Sequence, residues 1–239
     1  MDLPAPLSRI LPGTPDLTPP LIGLIAANGA TILFAVIGNW DLATVLFSYW
    51  VQSIIIGIFA AISILACDTR TLLADMNRSA EEGGNRLAYT PRSVAAYKGF
   101  MAGFFCLHYG LFHWGYYSFI VDSGIFGPVN MGDTGLLASS VLFLVSHGYS
   151  WYWHRRGERQ GAQFVTEEFF RPYNRIIPMH LIIIFGSIIV LVLEFIGITT
   201  VLPVLVLFLF MKTWMDIRMH LRKHYEEEHP DEPVQLIGF

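Results

Sequence analysis

Residues 42–67 read LATVLFSYWVQSIIIGIFAAISILAC, an apolar run without a single charged side chain. About 20 mostly apolar residues are enough to cross the hydrocarbon core of a bilayer as an α-helix. The run exceeds that length and therefore predicts a membrane-spanning helix. The composition of the chain agrees, because 54% of its residues are hydrophobic and 14% are charged, whereas soluble domains carry roughly 25% charged residues.

Five further apolar segments flank this run and are separated from one another by short polar or charged segments. Together they predict an all-α, polytopic membrane protein with six transmembrane helices. The expected spans lie near residues 20–39, 42–67, 98–121, 135–153, 176–197 and 200–223. The chain is thereby divided into a Pro-rich N-terminal segment (1–19), a transmembrane domain (20–223) with a loop at 68–97, and a tail (224–239).

Basic side chains give the orientation of the predicted spans. Lys and Arg occur before span one, at 68–98, at 155–175 and around the end of span six, and the other three connections contain neither residue. Cytoplasmic loops carry the excess of Lys and Arg. Six spans place all four basic segments on one face, so we expect a multi-pass protein of the cell (inner) membrane with both termini in the cytoplasm.

Several other classes of protein are disfavoured. The first 20 residues hold six prolines instead of a basic region followed by an apolar stretch, so no signal peptide is predicted. No basic domain or recognition motif indicates nucleic-acid binding. Cys67 and Cys106 fall in different predicted spans and are expected to be packed thiols. Motifs for serine nucleophiles, phosphate loops and dinucleotides are absent from the sequence.

Polar side chains inside the predicted spans are the candidates for function, because an ionisable group in a bilayer costs several kcal/mol unless it is paired or hydrated. His108 lies near the middle of span three, whereas His113 points to another side of that helix and is expected to pack in the outer leaflet. Gln52 lies deep in span two, where it binds a ligand or joins two helices. Four further groups are predicted to share one layer near the cytoplasmic ends of three spans: His147, His180, Asp216 and His220.

This layer has the composition of a metal site. Lys212, Asp216 and His220 follow one another at intervals of four residues and so share one helix face. An Asp and a His one turn apart can converge on one ion, and the imidazoles of His147 and His180 would complete a set that suits zinc or iron. With His108 in support, the site predicts a metal-dependent hydrolase or oxidoreductase that acts on a lipid-like substrate.

Other interpretations of the same residues stay open. Lys212 and Asp216 can simply neutralise each other, which leaves His220 among the lipid headgroups. His108 and His147 lie at similar predicted depths and could ligate haem. In a small proton-coupled transporter the same groups would relay protons. In an accessory or structural subunit of a larger membrane complex they would serve packing, with the bilayer and other subunits as partners.

The chain also resembles a known family through motifs spread along its length. They are Tyr49-Trp50, Ile56-Gly57, His108-Tyr109-Gly110, the stretch from Arg175 to His180, and Lys212 with Asp216 and His220. The pattern resembles an uncharacterised family of bacterial and archaeal multi-pass membrane proteins, a domain of unknown function. The resemblance extends from about span one to His220 and implies a shared membrane fold without an assigned activity. That family typically carries Glu where this chain has Gln52, so a role for a carboxylate does not transfer to this position.

Overall fold

The computed structural model describes residues 19–84, 88–154 and 161–198. Within these ranges the chain is helical and contains no β-strand, which confirms the predicted all-α class. Two π-helical turns follow the fourth and the seventh helix, at Ser118–Asp122 and Ile182–Gly186. The helices are α1 (Pro19–Ile37), α2 (Leu42–Ala66), α3 (Thr69–Glu82), α4 (Pro91–Tyr117), α5 (Thr134–His154), α6 (Ala162–Phe170), α7 (Tyr173–Leu181) and α8 (Ser187–Phe195).

The apolar run at 42–67 forms the central helix, α2. It packs against α4, α5 and α6, while α1 packs mainly against α5. Leu42, Leu46 and Ile64, from both ends of α2, have no exposed surface. A helix that is apolar on all sides is buried either in a protein core or in a membrane, and here neighbouring helices cover most of α2.

Contacts between α2 and α4 show that the two helices are antiparallel. At one end of the bundle, Lys98 Nζ donates to the backbone oxygen of Cys67 at 2.7 Å. At the other end, the rings of Phe47 and Tyr117 lie 6.4 Å apart. We call these the Cys67 end and the Phe47 end, and they provide a scale for the depth of each site residue.

Much of the predicted loop at 68–97 is helical. Asp68 caps α3, because its carboxylate accepts from the backbone N–H groups of Arg70 and Thr71, as is usual for an N-cap. Thr90 and Ser93 form a reciprocal capping box at the start of α4. These local signals start α4 at Pro91, several residues before the predicted start of span three.

The helix that contains the predicted span five begins earlier than that span. The sequence predicts its start near Ile176, but a nearly continuous helical run extends from Ala162 to Phe195, with a short break at 171–172. The backbone N–H of Ala162 donates to Asp75 near the Cys67 end, at 3.3 Å. Hydropathy alone places Glu168 and Arg175 in water, whereas both side chains are buried in the bundle.

Two helices of the described ranges are long and apolar enough to cross a membrane: Leu42–Ala66 and the run Ala162–Phe195. This is fewer than the six spans that the sequence predicts. Large apolar side chains are nevertheless exposed on the remaining helices, among them Phe100, Leu107 and Trp114 on α4.

Candidate functional site

Polar side chains meet in the middle of the α2–α4 interface. The Tyr109 hydroxyl lies 2.7 Å from Ser53 Oγ and donates to the Ser53 backbone oxygen at 3.0 Å. Because a phenol has one proton, the Ser53 hydroxyl then donates to Tyr109. The approach depends on Gly57, where a Cβ atom would lie 2.5 Å from the Tyr109 ring.

His113 lies one turn further along α4 and faces the interior. It is 4% exposed, and its Nδ1 donates to the backbone oxygen of Tyr109 at 2.9 Å. The carbonyl can only accept, so a neutral His113 has its lone pair on Nε2, a buried atom with no hydrogen-bond partner among the described residues. The Trp50 indole N–H donates to the His113 backbone oxygen at 2.8 Å.

His108 lies on the more exposed side of α4. Its Nδ1 is 2.7 Å from the Tyr173 hydroxyl, and its ring stacks on Phe104 with centroids 5.6 Å apart. The sequence favours His108 over His113 as the interior histidine, whereas the structure buries His113. A five-residue interval shows that the two differ in direction, but only helix packing decides which of them faces the core.

His180 pairs with a tyrosine of α4. The Tyr116 hydroxyl lies 2.5 Å from His180 Nδ1 and 3.5 Å from the backbone oxygen of Ile176. Tyr116 is 6% exposed and precedes Tyr117, which marks the Phe47 end. His180 therefore lies near the Phe47 end of the bundle. It does not lie near the Cys67 end, where α6 begins.

His147 lies at a different level. Its ring is 5.2 Å from Phe59 and 5.8 Å from Phe143. Phe59 and Phe47 are twelve residues apart on α2, which corresponds to about 18 Å along the axis. The contacts of His147 with Phe59 and of His180 with Tyr116 therefore indicate different levels in the bundle, while the metal site that the sequence predicts for both histidines stays a prediction.

Gln52 is fully buried between α2 and α1. Its Nε2 donates to Thr31 Oγ1 at 3.3 Å, and Thr31 in turn donates to the Ala27 backbone oxygen at 2.9 Å. Its Oε1 and the nearby Ser48 Oγ are buried without hydrogen-bond partners in the described part of the chain. The bond to Thr31 agrees with a helix-joining role for Gln52.

The sequence does not predict the burial of two charged side chains inside the bundle, those of Glu168 and Arg175. Glu168 is 4% exposed and forms an ion pair with Arg171. Arg175 is 6% exposed, and its guanidinium carbon lies 5.8 Å from the centre of the Tyr49 ring and 5.7 Å from that of Phe143. In an uninterrupted helix, an interval of seven residues would place Glu168 and Arg175 on one face, and this spacing is the signal in the sequence that could have indicated their burial.

Lys212, Asp216 and His220 lie outside the described residues. Within 19–84, 88–154 and 161–198, no group of three or more His, Cys, Asp and Glu side chains has the arrangement of a metal site. The metal site therefore stays a prediction. The described geometry instead provides a buried polar interface between α2, α4, α6 and α7, in which tyrosine and histidine side chains are paired.

Fold and site together define a helical protein with two helices able to cross a membrane and a polar interior. The chain belongs to the family described as "Family of unknown function (DUF6498)", which it matches over residues 11–233. This confirms the resemblance to an uncharacterised family. No curated protein matches the chain, and neither does any solved structure.

Proposed function

We propose that this chain is a multi-pass integral protein of the cell (inner) membrane, with six spans and both termini in the cytoplasm. The two membrane-length helices and the exposed apolar side chains of α4 support the proposal, as does the restriction of Lys and Arg to alternate connections. In this orientation the Cys67 end is cytoplasmic and the Phe47 end is external.

Within this frame, we propose that the polar interior carries protons coupled to the movement of a small solute. The observation that carries this proposal is the presence of Glu168, Arg175 and His180 along one membrane-length helical run, with the two charged side chains buried. Ionisable residues within membrane spans carry a high free-energy cost, and they commonly mark substrate or proton pathways.

The described contacts suggest how each group contributes. Glu168 can hold a proton near the cytoplasmic end, and protonation would weaken its pairing with Arg171. Near the external end, the Tyr116–His180 pair offers a hydroxyl and an imidazole within hydrogen-bond distance of each other, which suits proton transfer. Arg175 supplies a fixed positive charge between these levels.

Proton flux into proteoliposomes loaded with a pH-sensitive dye, under an imposed pH gradient and with a panel of small solutes, tests this function. Glu168→Gln and His180→Asn should each reduce solute-dependent flux by at least tenfold. Glu194→Gln is the matched control, because this carboxylate is exposed at the far end of the same helical run. Flux that is equal in all variants, or absent with every solute, would overturn the proposal.

A metal-dependent hydrolase or oxidoreductase is the second candidate, and the Tyr116–His180 bond favours it. Histidine ligands are usually held through their second ring nitrogen, and His180 is held in this way at Nδ1. Its proposed partners are Asp216 and His220, with zinc or iron as the metal; the contacts of His147 with Phe59 and Phe143 make it the weaker candidate ligand.

Elemental analysis and an optical spectrum of detergent-purified protein, beside a His180→Ala, His220→Ala double variant, separate the candidates. Stoichiometric zinc or iron that is lost in the variant supports the enzyme. A Soret band that is lost on substitution of His108 or His147 would indicate haem instead. Obligate co-purification of other subunits would favour the interpretation of this chain as an accessory or structural subunit of a larger membrane complex.

A further inference from the structure

Two buried polar atoms lie one turn apart on α2 and make no hydrogen bond within the described part of the chain. They are Ser48 Oγ and Gln52 Oε1. Ser48 is 1% exposed, and Gln52 has no exposed surface. Residues four positions apart lie on the same side of a helix. Because buried polar atoms in folded proteins nearly always have partners, this side of α2 indicates a place for a small polar molecule.

The bond to Thr31 determines which atom of the Gln52 amide is left over. The Thr31 hydroxyl donates its proton to the backbone oxygen of Ala27 at 2.9 Å. Its oxygen can then only accept from Gln52, at 3.3 Å, so the amide presents Nε2 to Thr31. Gln52 Oε1 remains, and a carbonyl oxygen accepts hydrogen bonds but cannot donate them. Its missing partner must therefore carry an N–H or O–H group.

A positive charge lies beside this turn of α2. The guanidinium carbon of buried Arg175 is 5.8 Å from the centre of the Tyr49 ring and 5.7 Å from that of Phe143. Phe143 packs in one apolar cluster with Ala27, whose backbone oxygen accepts the Thr31 bond. A guanidinium has several N–H donors in one plane, so it can bind a carboxylate in addition to other partners.

We propose that Ser48, Gln52 and Arg175 bind a small carboxylate that carries an N–H or O–H donor on the carbon next to its carboxyl group. An α-amino acid and an α-hydroxy acid share this chemistry. Arg175 and the Ser48 hydroxyl donate to the carboxylate, and Gln52 Oε1 accepts from the neighbouring donor. As the identity of the transported solute, this inference rests on the proposed function, whereas the binding site rests on the contacts of these side chains.

Equilibrium binding of radiolabelled alanine, lactate and propionate to the detergent-purified protein at neutral pH tests the site. The probes have the same carbon skeleton, and the carbon next to the carboxylate carries an amine, a hydroxyl or only hydrogen. Alanine or lactate should bind at least about tenfold more tightly than propionate, which leaves the buried Gln52 Oε1 without a donor. The tighter of the two identifies the solute as an amino acid or a hydroxy acid.

Gln52→Met removes the acceptor and keeps a side chain of similar length. The preference over propionate should then fall below about twofold, while propionate itself binds as before. Unchanged propionate binding also shows that this variant is folded.

Ser48→Ala is the milder variant and decides the question if Gln52→Met does not fold. It should weaken the binding of all three probes by about two- to tenfold, because the carboxylate loses one hydrogen bond. Ser63→Ala is the matched control, since it changes another buried serine of α2 nearer the Cys67 end, and it should leave all three affinities unchanged.

The other results overturn the proposal. Equal affinities for the three probes, or a preference that persists in Gln52→Met, would remove Gln52 from the site. Unchanged binding in Ser48→Ala would do the same for Ser48. No saturable binding of any probe would assign the two orphaned atoms to internal water. Binding is measured without a gradient, so binding without flux would refute transport alone, and flux of other solutes without binding would refute this site alone.

Discussion

Ser53 Oγ and the Tyr109 hydroxyl lie 2.7 Å apart and join α2 to α4 in the middle of the bundle. The same phenol donates to the Ser53 backbone oxygen at 3.0 Å, so two hydrogen bonds meet at one residue of α2. Because both side chains are buried, loss of either partner leaves a polar group without its bond in an apolar interior.

A double-mutant cycle measures this interaction. Ser53→Ala and Tyr109→Phe should each destabilise the detergent-solubilised protein, with a coupling of about 0.6 kcal/mol and at most about 1.7 kcal/mol. Reversible unfolding of the two single variants and the double variant gives the value. Thr166→Ala, on the exposed side of α6, is the control: its effect on stability should add to that of Ser53→Ala. Coupling in this control pair would show that the coupling between Ser53 and Tyr109 does not require a direct hydrogen bond.

Gly57 should not tolerate even a methyl group. A Cβ atom there would lie 2.5 Å from Tyr109 Cε1, so Gly57→Ala forces the ring out of place and should cost about 1–3 kcal/mol. Gly103→Ala is the matched control, because nothing lies within 4 Å of its Cβ position and alanine favours a helix interior by up to about 1 kcal/mol. Thermal unfolding of both variants should show opposite signs, and equal effects would contradict the packing at Gly57.

Tyr116→Phe removes the hydroxyl that pairs with His180 and leaves the ring in place. The expected loss of stability is about 0.5–1.5 kcal/mol, the usual net value of a hydrogen bond. Tyr117→Phe, at the neighbouring position, removes a hydroxyl that makes no hydrogen bond within the described part of the chain, and it should change stability by less than about 0.5 kcal/mol. Chemical unfolding compares the two, and indistinguishable midpoints would argue against the Tyr116–His180 bond.

Asp68 should make stability depend on acid pH. The backbone N–H and hydroxyl of Thr71, together with the backbone N–H of Arg70, lower the pKa of this carboxyl below its usual 3.8. A lowered pKa contributes stability that is fully present above the unfolded-state pKa and is lost as pH falls through the folded-state pKa. The stability difference between the parent and Asp68→Ala should therefore be constant near neutral pH and shrink below about pH 4.

Asp68→Asn is the control for that experiment. Asparagine caps a helix about as well as aspartate but does not titrate, so this variant should keep most of the stability at neutral pH. Thermal unfolding from pH 2 to pH 7 measures all three proteins. A difference between the parent and Asp68→Ala that stays unchanged down to pH 2 would show that the cap does not act through the ionised carboxylate.

The helices that sequence predicts best are those whose apolar runs end at clear polar boundaries. α1, α2 and α5 begin and end within a few residues of the predicted spans, since composition and length alone define them. The helix that contains span five extends beyond the predicted span, because hydropathy treats Glu168 and Arg175 as exposed. Their burial depends on Arg171 and on the rings of Tyr49 and Phe143, and such partners are distant or unrecognisable in a linear sequence.

The histidines also separate what the sequence predicts from what only helix packing decides. The sequence identifies His108, His113, His147 and His180 as polar groups within apolar runs, because residue type and span position are enough for that. Which of them face the interior depends on the rotation of each helix about its own axis. In α4 this rotation buries His113 rather than His108. Depth along the bundle depends on where each helix starts, and this separates His147 from His180.

By itself, the sequence determined that the described chain is helical, that residues 42–66 form a long apolar helix, and that ionisable side chains lie within apolar segments. These properties follow from local hydrophobicity and helical length. Only the tertiary structure decided the pairing of Tyr116 with His180 and of Tyr109 with Ser53, and the burial of Arg175. The two hydrogen-bonded pairs join residues more than fifty positions apart, and all of these contacts arise only when separate helices pack at a fixed rotation and height.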